Sequence, residues 1–156
     1  MNEFRTILCA TDFSEPSLAA VAAARSLALR LGASLTLVTV VERVPLLGAG
    51  PVGTQVATMN IEAYQNQLRD QAERQMQELA TQQQTPDLAL QTAVLEGRPS
   101  DTIVRHAADE GFDLVVIATH GHAGWRRFLF GSTAEKVVRS AACPVLTVNP
   151  GEAEGD

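Results

Sequence analysis

Short apolar segments alternate with longer amphipathic segments along the chain, and this alternation is the feature that most constrains its fold. Five segments are rich in β-branched residues and are followed by polar residues or glycine, which is typical of buried strands. They are Thr6–Ala10, Leu35–Val41, Leu88–Val94, Leu114–Ala118 and Val145–Val148. Because strands that alternate with helices are joined by right-handed crossovers, the pattern predicts a three-layer, doubly wound parallel α/β sheet.

The segments between the strands have the period of amphipathic helices. In the first helix the apolar stripe is Ala20, Ala24, Leu27 and Leu31, and Gly32 ends the helix. In the second helix the stripe is Ile61, Tyr64, Leu68, Ala72 and Leu79. The glutamine-rich stretch Gln65–Gln84 is therefore interpreted as part of an amphipathic outer helix.

The last two helices carry terminal signals. Pro99 lies in the first turn of the third helix, and Gly111 ends it. Ser132 precedes Glu135 by three residues, a capping box that predicts a helix start near Gly131.

The composition supports one aliphatic domain. Aromatic residues make up 4% and apolar residues 46% of the chain, so Val, Leu, Ile and Ala must form the core. We expect residues 1–150 to form a single domain, Val44–Thr58 to be a loop, and the acidic tail 151–156 to be disordered.

Charge and hydropathy exclude two classes of protein. A net charge of −6 argues against a general nucleic-acid binder, which needs a basic surface. No apolar run reaches the roughly 18 residues of a membrane span, and the N-terminus does not resemble a signal peptide. We therefore expect a cytoplasmic protein without a membrane partner, in which Cys9 and Cys143 are buried free thiols.

Two segments are placed to bind a ligand, because open α/β sheets bind ligands beyond the carboxyl ends of their strands. One is Ala10–Glu15, and the other runs from Ala118–Gly121 to Gly131-Ser132-Thr133. Glycines and the N–H groups of a helix N-terminus can together hold a phosphate. The residues alone are equally compatible with turn glycines and an ordinary helix cap.

Asp12 has three interpretations from the residues alone. It could face phosphates through a divalent cation, or accept hydrogen bonds from ribose hydroxyls. It could also be a solvated turn residue beside Ser14, with Ser14 as the cap of the first helix.

These segments, together with 131–138 and 143–148, resemble the universal stress protein family over residues 4–149. The ATP-binding subgroup has a glycine, two residues, a second glycine, nine residues, and then glycine with serine or threonine. The matching positions here are Ala118, Gly121 and Gly131-Ser132, with nine residues between the last two. Ala118 departs from the pattern, and its methyl group could weaken or tilt a bound nucleotide.

The resemblance implies a strand order of 3-2-1-4-5 and a site for ATP, ADP or AMP with Mg²⁺. It implies that Asp12 contacts the ribose or the metal, and that Val94 and Gly97 lie beside the pocket. The other implied nucleotide-binding residues are Ala10, Thr11, Val40, Ile117, Ala118, Gly121, Gly131, Ser132 and Thr133. It also implies an antiparallel homodimer through the last strand, Val145–Val148, whose edge would otherwise be exposed.

A regulatory nucleotide-binding protein of the stress response is the interpretation that these features favour. The chain has no Walker motif, which argues against an efficient P-loop ATPase. His120 and His122 are interpreted as loop histidines and Arg126 and Arg127 as solvated or partner-contacting, so no catalytic residue is predicted. The alternatives are a dimeric scaffold of the same family that binds no nucleotide, and an enzyme with slow ATP hydrolysis or self-phosphorylation.

Overall fold

The computed structural model describes residues 3–45, 54–120 and 130–150, with side chains omitted for 54–59. Its sheet has five parallel strands in the order β3-β2-β1-β4-β5. The strands are β1 (Thr6–Ala10), β2 (Ser34–Val41), β3 (Leu90–Glu96), β4 (Leu114–Ala118) and β5 (Val145–Val148). The helices described are α1 (Glu15–Leu31), α2 (Thr54–Gln83), α3 (Pro99–Asp109) and α4 (Ser132–Ser140). The predicted doubly wound α/β fold and its strand order are confirmed.

Side-chain alternation along the strands divides the core into two apolar clusters. Ile7 and Cys9 of β1 pack with α1 and α2 on one face of the sheet. Leu8 and Ala10 pack with α3 and α4 on the other face. The structure therefore has three layers, and β1 is buried at the centre between β2 and β4.

The strand order reverses beside β1, which creates the switch point where α/β proteins bind ligands. The chain passes from β1 through α1 to β2 on one side, and from β3 through α3 to β4 on the other. The carboxyl ends of β1, β2 and β4 consequently meet at one edge of the sheet.

An aspartate ties the start of β4 to the start of β1. The Oδ2 atom of Asp113 accepts hydrogen bonds from the Arg5 and Thr6 backbone N–H groups, both at 3.0 Å, and from the Thr6 hydroxyl at 2.9 Å. These bonds favour the ionised carboxylate and hold the pKa of Asp113 below its usual range.

The two cysteines are free thiols, as predicted. Cys9 is fully buried, and desolvation raises the pKa of its thiol to about 12. Cys143 is half-buried rather than buried. No helix in 3–45, 54–120 or 130–150 combines the length and apolar character that crossing a membrane requires.

The predicted apolar stripes of α1 and α2 are wrong at one position each. Leu31 is 48% exposed, because it is the last residue of α1 before the left-handed Gly32. Tyr64 is 51% exposed, whereas Met76, absent from the predicted stripe, is buried. The 30 residues of α2 extend about 45 Å, well beyond strands of about 25 Å or less, so its N-terminal half overhangs the sheet.

The predicted starts of α2 and β3 also differ from the structure. The loop predicted over Val44–Thr58 ends earlier, because α2 starts at Thr54 and no glycine or proline occurs between Gly53 and Pro86. Residues 46–53 lie outside the described chain. The third strand begins two residues later than predicted, because the Leu88 N–H bonds to Thr85 in a turn.

The capping box predicted for α4 does not form. Gly131 is the N-cap and makes no side-chain cap bond, so Ser132 is already the first helical residue. Glu135 instead pairs with Arg139 one turn later, at 2.6 Å. The helix nevertheless starts where the sequence predicts.

Candidate functional site

A cavity of about 450 Å³ opens at the switch point, beyond the carboxyl ends of β1, β2 and β4. This volume lies within the range of about 300–1,000 Å³ that is common for small-molecule sites. The residues of the predicted site that line it are Ala10, Thr11, Asp12, Val40, Ile117, Ala118, Gly131, Ser132 and Thr133. Gly121 lies outside the described residues, as do His122, Arg126 and Arg127.

One side of the cavity is apolar. Val38 and Val40 face it from β2, and Ile117 faces it from β4. Pro99 and Ile103 cover it from α3, where they are four residues, about one helical turn, apart. This wall suits the faces of a flat, apolar group such as a nucleobase.

The loop after β1 forms a second side and is held by local hydrogen bonds. The Thr11 N–H donates to the Val38 carbonyl at 2.9 Å, and the Phe13 N–H donates to the Thr11 hydroxyl at 3.0 Å. The Thr11 hydroxyl also lies 2.9 Å from the Ser17 hydroxyl of α1. Phe13 has a φ of +64°, a conformation that is uncommon for a side chain of this size. These contacts shape a tight turn that presents Asp12 to the cavity.

Asp12 is exposed at the cavity rim. Its Oδ1 atom accepts hydrogen bonds from the Ser14 N–H at 3.1 Å and from the Ser14 hydroxyl. Ser14 is the N-cap of α1, as one sequence interpretation expected, and its hydroxyl accepts a bond from the Ser17 N–H. The carboxylate is therefore oriented by the same turn that starts the helix.

The third side is the N-terminus of α4, which begins at the predicted phosphate-binding residues. The Gly131 N–H donates to the Thr119 carbonyl at 2.7 Å. A Cβ atom at Gly131 would lie 3.3 Å from that same oxygen, closer than nine in ten real Cβ contacts. The first N–H groups of a helix have no partner within the helix and attract anions. Ser132 and Thr133 carry such groups at the cavity wall.

Ala118 does not fill the cavity. Along β4, Leu114, Val116 and Ala118 belong to the cluster that packs against α1. Most of the apolar lining, such as Ile117 and Ile103, belongs to the opposite cluster, beneath α3 and α4. The methyl group that replaces the first motif glycine therefore packs toward α1, and the cavity is present with alanine in place.

His120 lines the cavity, although its sequence context favoured an ordinary loop histidine. Its Nδ1 atom lies 2.8 Å from the Thr119 hydroxyl. Its Nε2 atom is buried and has no hydrogen-bond partner in the part of the chain that the structure describes. No described carboxylate bonds to the ring, so the arrangement of a general base and its orienting carboxylate is absent there. The same residues contain no cluster of three or more histidine, cysteine, aspartate or glutamate side chains suited to a metal ion.

Several lining residues were missed by the sequence analysis. Glu42 was not considered, although it follows Val38 and Val40 at the same two-residue spacing. Pro99 and Ile103 were assigned only structural roles. Val94 is partly buried and packs against the core cluster beneath α1 and α2. Gly97 lies outside the cavity lining, and its N–H bonds to the Val41 carbonyl.

Comparison with known proteins identifies a family that covers the chain. The sequence profile of the universal stress protein family matches residues 3–149. A universal stress protein of Methanocaldococcus jannaschii is 30% identical over 153 residues, which span 98% of this chain and 86% of the relative.

Solved structures agree with this sequence match. The universal stress protein UspA from Lactobacillus plantarum superposes with a TM-score of 0.72 at 28% identity, covering 95% of this chain and 99% of the other. A universal stress protein in complex with cAMP has the same fold, with a TM-score of 0.59 at 24% identity, over 94% and 98% of the two chains. The chain belongs to the universal stress protein family.

Proposed function

We propose that this protein binds an adenine nucleotide, ATP or its products ADP and AMP, and acts as a regulator in the stress response. Its output would be a change of conformation or of protein partner rather than rapid turnover. The observation that carries the proposal is the cavity itself, which is lined both by an apolar wall and by the N-terminus of α4. The cAMP complex of a structural relative supports the same ligand class.

Each side of the cavity suits one part of the nucleotide. The base lies against Val38 and Val40 of β2. The phosphates lie against the first turn of α4 at Gly131, Ser132 and Thr133. Gly121, which the family motif includes, is proposed to contact the phosphates as well. Asp12 contacts the ribose hydroxyls, or a Mg²⁺ ion that the phosphates would also hold, since Mg²⁺ is commonly shared between one or two carboxylates and substrate phosphates.

Nucleotide binding is expected to depend on Asp12. The Asp12→Ala variant should bind ATP about 10- to 100-fold more weakly in calorimetry, because a hydrogen bond to a charged group contributes about 1.5–3 kcal/mol. Titration in EDTA separates the two roles of the carboxylate. A loss that persists without metal indicates ribose contact, and a loss seen only with Mg²⁺ indicates metal bridging.

The matched control is Asp70→Ala, which removes the same charge from an exposed position on α2 that lies outside the cavity lining. It should leave ATP binding unchanged. A wild-type protein that releases no nucleotide when denatured, and binds neither ATP nor AMP with Mg²⁺, would contradict the proposed function. The non-binding dimeric scaffold would then be favoured.

Slow ATP hydrolysis or self-phosphorylation is the alternative activity at the same cavity. Ser132 and Thr133, whose side chains carry hydroxyl groups, line the cavity at the proposed phosphate position. Among the described residues, however, His120 has no carboxylate partner that would activate it. Binding without efficient turnover therefore fits the site better.

The protein is further proposed to form a cytoplasmic homodimer through β5. This strand is the edge of the sheet beside β4, and an exposed apolar edge favours pairing with another chain. Leu146 of β5 is 40% exposed and Val138 of α4 is 47% exposed. Unpaired thiols at Cys9 and Cys143 are compatible with a reducing compartment.

Sedimentation is expected to give twice the 16.7 kDa mass of one chain. Leu146→Lys should shift the protein to monomer, because it places a charge in the paired apolar edge. Leu31→Lys introduces the same charge at an exposed leucine on α1 and should leave the dimer intact. A monomeric wild-type protein at micromolar concentration would rule the dimer out.

A further inference from the structure

Glu42 places a carboxylate at the apolar side of the cavity. Val38, Val40 and Glu42 are two residues apart, and all three line the cavity. Successive side chains of an extended segment alternate between its two faces, so Glu42 continues the cavity-facing row of β2 one residue beyond the strand end. The carboxylate therefore lies beyond the wall that we assign to the nucleobase.

A side chain from α2 holds the backbone around Glu42. The Gln65 Nε2 atom donates to the Glu42 carbonyl at 3.2 Å, and the Gln65 Oε1 atom accepts from the Val44 N–H at 3.0 Å. The amide thus pairs with this segment as a neighbouring strand would. One turn along α2, Arg69 bonds to Glu96 at the end of β3, with a distance of 3.0 Å. The two Gln65 bonds hold the backbone at Glu42, whose side chain is exposed.

The sheet order determines which end of a bound nucleotide meets Glu42. The phosphate side lies at α4, which follows β4, and β1 separates β4 from β2. Two strand spacings amount to about 10 Å, so a nucleotide with its phosphates at α4 extends its base over β2. Asp12, after β1, lies between these ends, where the ribose would be. Glu42 is the carboxylate at the base end.

We propose that Glu42 determines base specificity by accepting a hydrogen bond from the 6-amino group of adenine. This proposal rests on the proposed nucleotide-binding function. An ionised carboxylate is an acceptor only. Adenine carries a donor amino group at position 6, whereas guanine and hypoxanthine carry an acceptor oxygen there. Glu42 therefore attracts adenine and repels the other two purines, which is discrimination by an unfavourable contact as well as a favourable one.

The test compares ATP with ITP, because the two differ only in the purine and carry the same phosphates. Calorimetry of the wild-type protein should show ATP binding at least about tenfold more tightly, since a site built to bond a group rejects the analogue that lacks it. Glu42→Gln replaces the carboxylate with an amide that can both donate and accept. Its ATP-to-ITP affinity ratio should fall to within about threefold, mainly through tighter ITP binding.

The ATP-to-ITP affinity ratio separates recognition of the base from a general effect of charge. Glu62→Gln removes the same charge from an exposed residue of α2 that does not line the cavity, and it should leave the ratio unchanged. A ratio near one in the wild-type protein, or a ratio that Glu42→Gln does not alter, would overturn the role of Glu42 while leaving nucleotide binding intact. Failure to bind either nucleotide would instead overturn the proposed function itself.

Discussion

Gly131→Val is expected to weaken ATP binding by at least about a hundredfold. The Cβ atom of any side chain at this position would lie 3.3 Å from the Thr119 carbonyl oxygen and 3.9 Å from the His120 Cα atom. Both neighbours are backbone atoms, which cannot rotate away as a side chain can. The branched valine must therefore push the start of α4 away from the end of β4. The loss of two bonds to a charged phosphate, each of about 1.5–3 kcal/mol, corresponds to at least a hundredfold change in affinity.

Backbone strain is not the cause of this expected loss. Gly131 has φ −59° and ψ 153°, which valine adopts readily. The fold should therefore survive, and circular dichroism should match that of the wild type.

A matched substitution separates the local effect from a general effect of valine. Ala142→Val adds the same branched side chain at an exposed residue beyond the other end of α4, and it should bind ATP normally. Gly131→Ala should show an intermediate loss, because a single methyl group needs a displacement of only a few tenths of an ångström. Wild-type affinity in Gly131→Val would place the phosphates away from α4.

The strands of the sheet and the strand and helix ends that line the site were predictable from local sequence. The bounds of β1, β4 and β5 agree with their prediction because each is a short apolar run closed by polar residues or proline. The switch point follows from the strand order, which the family resemblance supplied. The cavity positions of Asp12 and Gly131 were predictable as well. Asp12 lies just beyond the end of β1, and Gly131 is the N-cap of α4.

The contacts that complete the site depend on tertiary placement and could not be predicted in this way. Gln65 bonds to a backbone segment 21 residues before it, and nothing in a glutamine-rich helix distinguishes that glutamine from its neighbours. Glu42 follows the end of its strand, where periodicity no longer assigns a face. The direction of the Ala118 side chain likewise required knowing which layer contains the cavity.

The apolar stripe of α2 is another feature that the sequence alone did not predict fully, and its packing can be measured. Met76 is 1% exposed and packs in the cluster beneath α1 and α2, whereas Tyr64 is 51% exposed. Helical periodicity selected Tyr64 because it considers spacing and not the length of the sheet that the helix covers. Met76→Ala should lower the free energy of unfolding by about 2–4 kcal/mol, through lost burial and the cavity left behind. Tyr64→Ala should change it by less than about 0.5 kcal/mol, as is usual at exposed positions.

Urea denaturation monitored by circular dichroism would measure the free energies of unfolding of the Met76→Ala and Tyr64→Ala variants under one condition. Ala72→Gly gives an intermediate case on the same helix. It costs about 1 kcal/mol of helix propensity, and it also removes a methyl group from a residue that is 7% exposed. The loss of stability should be largest for Met76→Ala, smaller for Ala72→Gly and smallest for Tyr64→Ala. This order is expected only if the C-terminal half of α2 packs on the sheet. Equal losses at Met76 and Tyr64 would mean that the whole helix is buried, for example against a second copy of the chain. The assignment of β5 as the dimer edge would then need revision, since α2 lies on the opposite side of the sheet order from β5.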